Sequence, residues 1–159
     1  MDTDATRREL QPLVDLVRAE RYDAAIAGLQ EFLAQHSDNE VAIGLLGAAY
    51  FQIGMLARAQ SCYRRVMELN PANPLARFQL GMLHFSQQEH RVALETWAPL
   101  LGSQQDFMAH FHSALALVEL GETARARELL EVAGRNMPLS HPLFAQLKAI
   151  RARLSGEAP

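Results

Sequence analysis

At 159 residues, with 49% hydrophobic and 21% charged side chains, the chain suits one globular domain or a short repeat array, and wholesale disorder is excluded. The net charge of −3 is spread evenly, with 8 basic and 10 acidic side chains over residues 1–80 and 7 and 8 over residues 81–159. That balance excludes the electrostatic footprint of a nucleic-acid or anionic-membrane binder, and the single cysteine, Cys62, excludes an internal disulfide or a Cys-rich metal site.

The opening, MDTDATRREL, lacks the apolar core of a signal peptide, and no later apolar run is long enough to span a bilayer. A cytoplasmic protein is expected, with residues 1–5 frayed or disordered. Lys148 is the only lysine against fourteen arginines, the bias of a GC-rich, bacterial genome. Pro12 falls within the first helical stretch, whose regular part is expected to begin near Leu10 with proline in its first turn. The next line, RYDAAIAGLQEFL, returns as MLARAQSCYRRVM, HRVALETWAPLL and ETARARELLEVA. Ala25, Ala59, Ala93 and Ala126 hold its register at spacings of 34, 34 and 33. Gly47, Gly81 and Ala114 keep the 34 and 33 spacing upstream.

Each repeat predicts a helix A, a tight turn, a helix B and a break. Ile43, Leu46, Gly47 and Tyr50 follow i, i+3, i+4, i+7, one face of a helix. Gly47 and Gly81 let helix B approach closely, and the repeated alanines supply the matching small surface. Gly54 and Gly121 suit helix C-termini, where a positive φ is wanted. Pro71 and Pro138 stop helix B, since proline cannot extend the hydrogen-bond ladder. Pro99 falls inside the third helix B and predicts a kink or an early end there, and with it an irregular joint between units three and four that could serve as a hinge. The units are expected over 6–39, 40–73, 74–106 and 107–138. A capping helix is expected over 139–155, with Ser140 as N-cap, Pro142 in the first turn and a stripe of Leu143, Leu147, Ile150 and Leu154, before a flexible tail over 156–159.

With Leu46, Gly47, Tyr50, Gly54, Ala59, Tyr63 and Pro71 in place, the second unit resembles a tetratricopeptide repeat closely. The likeness covers roughly residues 6–138, more loosely in the other units. It implies an all-α, right-handed α-solenoid of about four antiparallel helix pairs. It also implies a protein–protein interaction module whose A helices line a concave groove.

Catalytic chemistry finds no support in the residues. There is no glycine-rich phosphate loop, H-E-x-x-H, G-x-S-x-G or paired C-x-x-C, so no enzyme, cofactor, catalytic residue or metal site is expected. His110 and His112, two apart, point to different helix faces, and His84 stands where Tyr50 stands one repeat earlier. Cys62 has Arg58 and Arg65 within a turn, which would lower its pKa, but no general base accompanies it.

The A-helix face opposite the intra-repeat core reads Val41, Gly44, Ala48 and Phe51, then Leu75, Phe78, Met82 and Phe85, then Met108, Phe111, Leu115 and Val118. Leaving such a face in water would forfeit ~1.5–3 kcal/mol for each large side chain. Phe51, Phe78, Met82, Phe85, Met108, Phe111 and Leu115 are therefore candidate anchors for an apolar peptide or helix of another protein, with Gln52, Gln79 and His112 beside them for backbone hydrogen bonds. The alternative is that the array's own helices fill the groove. Repeat proteins that clamp a C-terminal carboxylate use Lys and Asn in the groove, whereas here the one lysine, Lys148, lies outside the array and no A helix carries an asparagine except Asn39 at an N-cap, so that mode is not expected. Its length and greasy face also resemble the small bacterial chaperones of type III secretion translocators. A chaperone holding a hydrophobic client and a homodimer whose groove is self-occupied thus stand beside the adaptor; no nucleic acid and no membrane insertion are expected.

Overall fold

The computed structural model describes residues 3–103 and 105–156. Among these the chain is all-helical: α1 (Thr3–Arg18), α2 (Tyr22–Gln35), α3 (Glu40–Gln52), α4 (Leu56–Leu69), α5 (Pro74–Ser86), α6 (His90–Trp97), α7 (Phe107–Glu119), α8 (Thr123–Asn136) and α9 (Phe144–Ser155). A 3-10 turn, Ala98–Gly102, follows α6. The chain falls into two compact units, one through Leu83 and one from His84, so the division lies inside α5 and not at Pro99.

The pairing of helices rests on one turn written four times. Glu20, Gly54, Gln88 and Gly121 all have positive φ, between 57° and 78°. In each turn the left-handed residue donates its N–H three residues back and the next residue donates five back, as in Glu20 to Val17 and Arg21 to Leu16, or Gly121 to Val118 and Glu122 to Leu117. That is the Schellman arrangement, which satisfies carbonyls orphaned at the end of each A helix. The A helices start alike as well. Asn39, Asn73 and Asp106 accept hydrogen bonds from the backbone N–H groups of Ala42, Ala76 and Ala109 at 2.9, 2.9 and 3.1 Å.

In the first unit, Leu10, Leu29, Phe32, Leu46, Tyr50, Tyr63 and Leu83 form the core, with Ala25, Ala42 and Ala59 packed among them. Gly47 marks the closest approach: a Cβ there would lie 2.8 Å from Tyr63 Cε1 and 3.0 Å from Cys62 Cβ. The Tyr50 hydroxyl accepts a 2.9 Å bond from Gln30 Nε2. Here the expectation for Pro12 is corrected, because α1 begins at Thr3 and runs through the proline. The ring costs Arg8 a carbonyl partner, but Pro12 and Arg8 are both exposed, where water can serve that carbonyl. Residues 3–5 are thus already helical, while residues 1 and 2 lie outside the described residues, as do 157–159 of the expected tail.

In the second unit, Phe111, Ala114, Leu130, Ala133, Met137, Leu147 and Ile150 form one cluster, with Leu143 and Leu154 packed against it. The apolar stripe of the capping helix therefore faces inward. Its start is corrected: α9 begins at Phe144 after Leu143, which gives no side-chain cap, and Ser140 and Pro142 lie in the preceding turn. His141 accounts for the shift, accepting the Leu143 N–H on its ring at 3.2 Å and the Phe144 N–H on its carbonyl at 2.9 Å. At Pro99 the α-helix stops at Trp97 and tightens into the 3-10 turn, since proline cannot donate to the ladder.

Candidate functional site

One concavity of the first unit lies between α3 and α5. It is a cleft of about 260 Å³ lined by Val41, Gly44, Leu45 and Ala48 from α3 and by Leu75, Ala76 and Gln79 from α5, with Tyr63, Val66, Glu40 and Asn73 completing it. Val41 and Leu75 are 60% and 66% exposed and stand 34 residues apart, at the same place in the first turn of their helices. Helix caps on Asn39 and Asn73 fix those first turns. Nothing lies within 4 Å of where a Cβ on Gly44 would stand, so the glycine leaves real space on the α3 wall. A second hollow, about 840 Å³, lies between α1 and the α2–α3 connection, with Arg7, Leu10, Gln11 and Val14 on its α1 side. Val41 borders both.

The expected anchors divide between the two units. Phe51, Phe78 and Met82 are half-buried, Phe51 leaning on the core; Gln52 is exposed, and Gln79 lines the cleft. In the second unit the same face turns inward. Phe111 is fully buried in the cluster with Leu130 and Leu147, so it is a core side chain and not an accessible anchor. Leu115 packs on that cluster, and Met108 is half-buried. Phe85 sits with its ring centroid 5.1 Å from His90 and 6.1 Å from Trp97. His112 lies 6.0 Å from the Trp97 ring and 5.3 Å from Phe111, and burial pushes its pKa down to about 4. It is thus a neutral, half-buried ring among aromatics.

Family models of the tetratricopeptide repeat match residues 42–73 and 78–139. The chain belongs to the tetratricopeptide repeat family. Among solved structures the fold is similar to MamA: the MamA RS-1 ArsTM double mutant superposes with a TM-score of 0.77 and 16% identity over 98% of this chain and 97% of that one. MamA 41-end from Desulfovibrio magneticus RS-1 gives 0.78 and 16% over 98% and 92%, and a crystal structure of MamA protein gives 0.74 and 20% over 95% and 86%. At such identities the likeness establishes the all-α repeat solenoid alone. Among curated proteins none matches. Repeats of this family serve as protein–protein interaction scaffolds, and the architecture here is that of such a scaffold.

The remaining chemistry of the repeats is quiet. Among the described residues no group of three or more His, Cys, Asp or Glu side chains is placed to hold a metal, and no helix is long and apolar enough to cross a membrane. Burial pushes the Cys62 thiol up to about 11, opposite to the shift expected from its arginine neighbours. Arg65 is instead engaged by Asp38 and Glu68 at 2.8 and 3.2 Å, and Arg58 lies over the Tyr50 ring. The sequence pattern puts Val41, Gly44, Ala48 and Leu75 on the groove face, whereas the expected anchors there are the larger Phe, Met and Leu side chains. Leu45 and Glu40 in the cleft, and Arg7 and Gln11 in the neighbouring hollow, are not among the residues expected from sequence. The spacing of 34 that ties Val41 to Leu75 also carries back to Arg7, and was the signal available.

Proposed function

We propose that the protein is an adaptor that takes an apolar segment of another protein into the α3–α5 cleft of its first unit. One observation carries this: Val41 and Leu75, two large aliphatic side chains at equivalent positions, stand mostly exposed on either side of an apolar cleft. An apolar side chain entering between them would remove all three from water at once, ~1.5–3 kcal/mol for each side chain fully buried. Methionine and phenylalanine at Met82 and Phe78, half-buried on the same helix, extend the apolar wall of α5.

The test is Leu75→Glu. The side chain is 66% exposed, so the fold should tolerate the change, with helix content and melting temperature close to wild type. Binding of an apolar peptide selected on the wild-type protein should fall by at least about tenfold, the equivalent of about 1.4 kcal/mol. If the variant binds that peptide as well as wild type does, the cleft is not the site. If wild type instead runs as a dimer that Leu75→Glu splits, the cleft is filled by a second copy and the adaptor reading fails.

A further inference from the structure

The α3–α5 cleft has apolar walls and a single charge. Of the residues lining it, only Glu40 has a charged side chain. Its Oε2 accepts bonds from Asn70 Nδ2 at 3.0 Å and Asn73 Nδ2 at 3.2 Å, and the residue is half-buried. No cation among the described residues reaches it. Four carboxylates away from the cleft are paired with arginines: Asp38 and Glu68 with Arg65, Glu122 with Arg125 and Glu131 with Arg151. Glu40, the first residue of α3, is therefore a carboxylate held in place by neutral amides at a helix N-terminus, with no cationic side chain to pair it beside Val41 and Leu75.

Resting on the cleft as the binding site, we propose that its occupant is an apolar segment carrying a lysine or arginine, whose cation pairs with Glu40. A purely apolar occupant would strip water from a carboxylate and leave it unpaired, which is costly. An acidic one would add repulsion. A cation recovers that loss, and between apolar walls the attraction is stronger than at an open surface. Asn70 and Asn73 hold the carboxylate before the partner arrives, so little side-chain freedom is lost on binding. Oε1 accepts no bond from the described residues and is left for the incoming donor.

Glu40→Gln separates this role from a structural one, because the amide keeps an acceptor oxygen for both asparagines and removes only the charge. The probe is a peptide selected from a phage-displayed random dodecamer library on the immobilised full chain, then synthesised. Selected sequences should combine apolar residues with a lysine or arginine. The synthetic peptide should bind Glu40→Gln about tenfold more weakly than wild type. Its counterpart with norleucine or norvaline at the basic position should lose a similar factor on wild type and little more on Glu40→Gln, the coupling of a direct pair. That peptide substitution needs no variant protein, so the inference can fail even if Glu40→Gln folds poorly. Peptides whose binding depends on Leu75 but neither carry a cation nor respond to Glu40→Gln would overturn the basic-partner inference and leave the apolar cleft standing. A library with no binder sensitive to Leu75→Glu would overturn both.

Discussion

Four helix pairs turn on the same left-handed residue, yet only two of the four are glycine. Glu20 at φ 57° and Gln88 at φ 63° hold the conformation that Gly54 and Gly121 hold at 78° and 75°. A side chain bearing a Cβ costs roughly 1–2 kcal/mol in that region, whereas glycine enters it freely but brings a more flexible unfolded chain, a cost of roughly 0.5–1 kcal/mol. The difference favours glycine by about 0.5–1 kcal/mol at each site. Both residues are exposed, so little packing is lost with the side chain. For a chain of 159 residues, that stabilisation raises the melting temperature by roughly 1–4 °C per substitution. Glu20→Gly and Gln88→Gly should therefore each melt later, and the double variant, with sites 68 residues apart, should show the sum. Gly54→Ala and Gly121→Ala are the mirror experiment. Nothing lies within 4 Å of a Cβ at either position, so their expected loss of about 1 kcal/mol reports the backbone alone. Differential scanning calorimetry of the four single variants decides the matter. If Glu20→Gly and Gln88→Gly leave the melting temperature unchanged or lower it while the alanine variants fall, the two turns are not strained and the reasoning is wrong.

Two glycines on different faces of α3 should answer oppositely to alanine. Gly44→Ala meets open space and should gain about 1 kcal/mol of helix propensity, whereas Gly47→Ala drives a Cβ to 2.8 Å from the buried Tyr63 ring and should lose roughly 1–2 kcal/mol; urea titrations that gave both the same sign would refute this. His112, with its pKa lowered from 6.5 to about 4 by burial, binds its proton in the unfolded chain first, so its contribution is fully present above about pH 6.5 and is lost as pH falls toward 4. At pH 5 the loss is about 2 kcal/mol. His112→Gln should remove that part of the stability difference between pH 7 and pH 5, and an unchanged difference would place the ring in water.

The helix pairs were legible because their causes are local: Ala25, Ala59, Ala93 and Ala126 are all fully buried where the spacing put them, and Pro99 ends its helix. What was not legible depended on partners far along the chain or on context. Glu20 and Gln88 adopt the left-handed turn without the glycine that signals it. Pro12 reads as a helix start, but water at an exposed carbonyl is enough to let the helix run through it. Asn73 and Asp106 stand 34 and 33 residues after one another from Asn39, so the caps were present in the register, visible to the same counting that found the alanines. Glu40 gave no signal at all, since its partners Asn70 and Asn73 lie 30 and 33 residues away.

The candidate site turns on the size of two side chains per repeat. Counting from each A-helix cap, the fifth residue is Gly44, Phe78 and Phe111, and the ninth is Ala48, Met82 and Leu115. The pattern of apolar residues predicts all three helices to be greasy on this face, and it cannot say which of them leaves room. Volume does. Where the pair is Phe111 and Leu115, the face fills itself and joins a core with Leu130 and Leu147. Where it is Gly44 and Ala48, the wall is set back and a cleft opens against Leu75 and Gln79. Small residues on such a face bury little area of their own. In a repeat array they are where the array stops supplying its own filling, and so where a second molecule gains the most by entering.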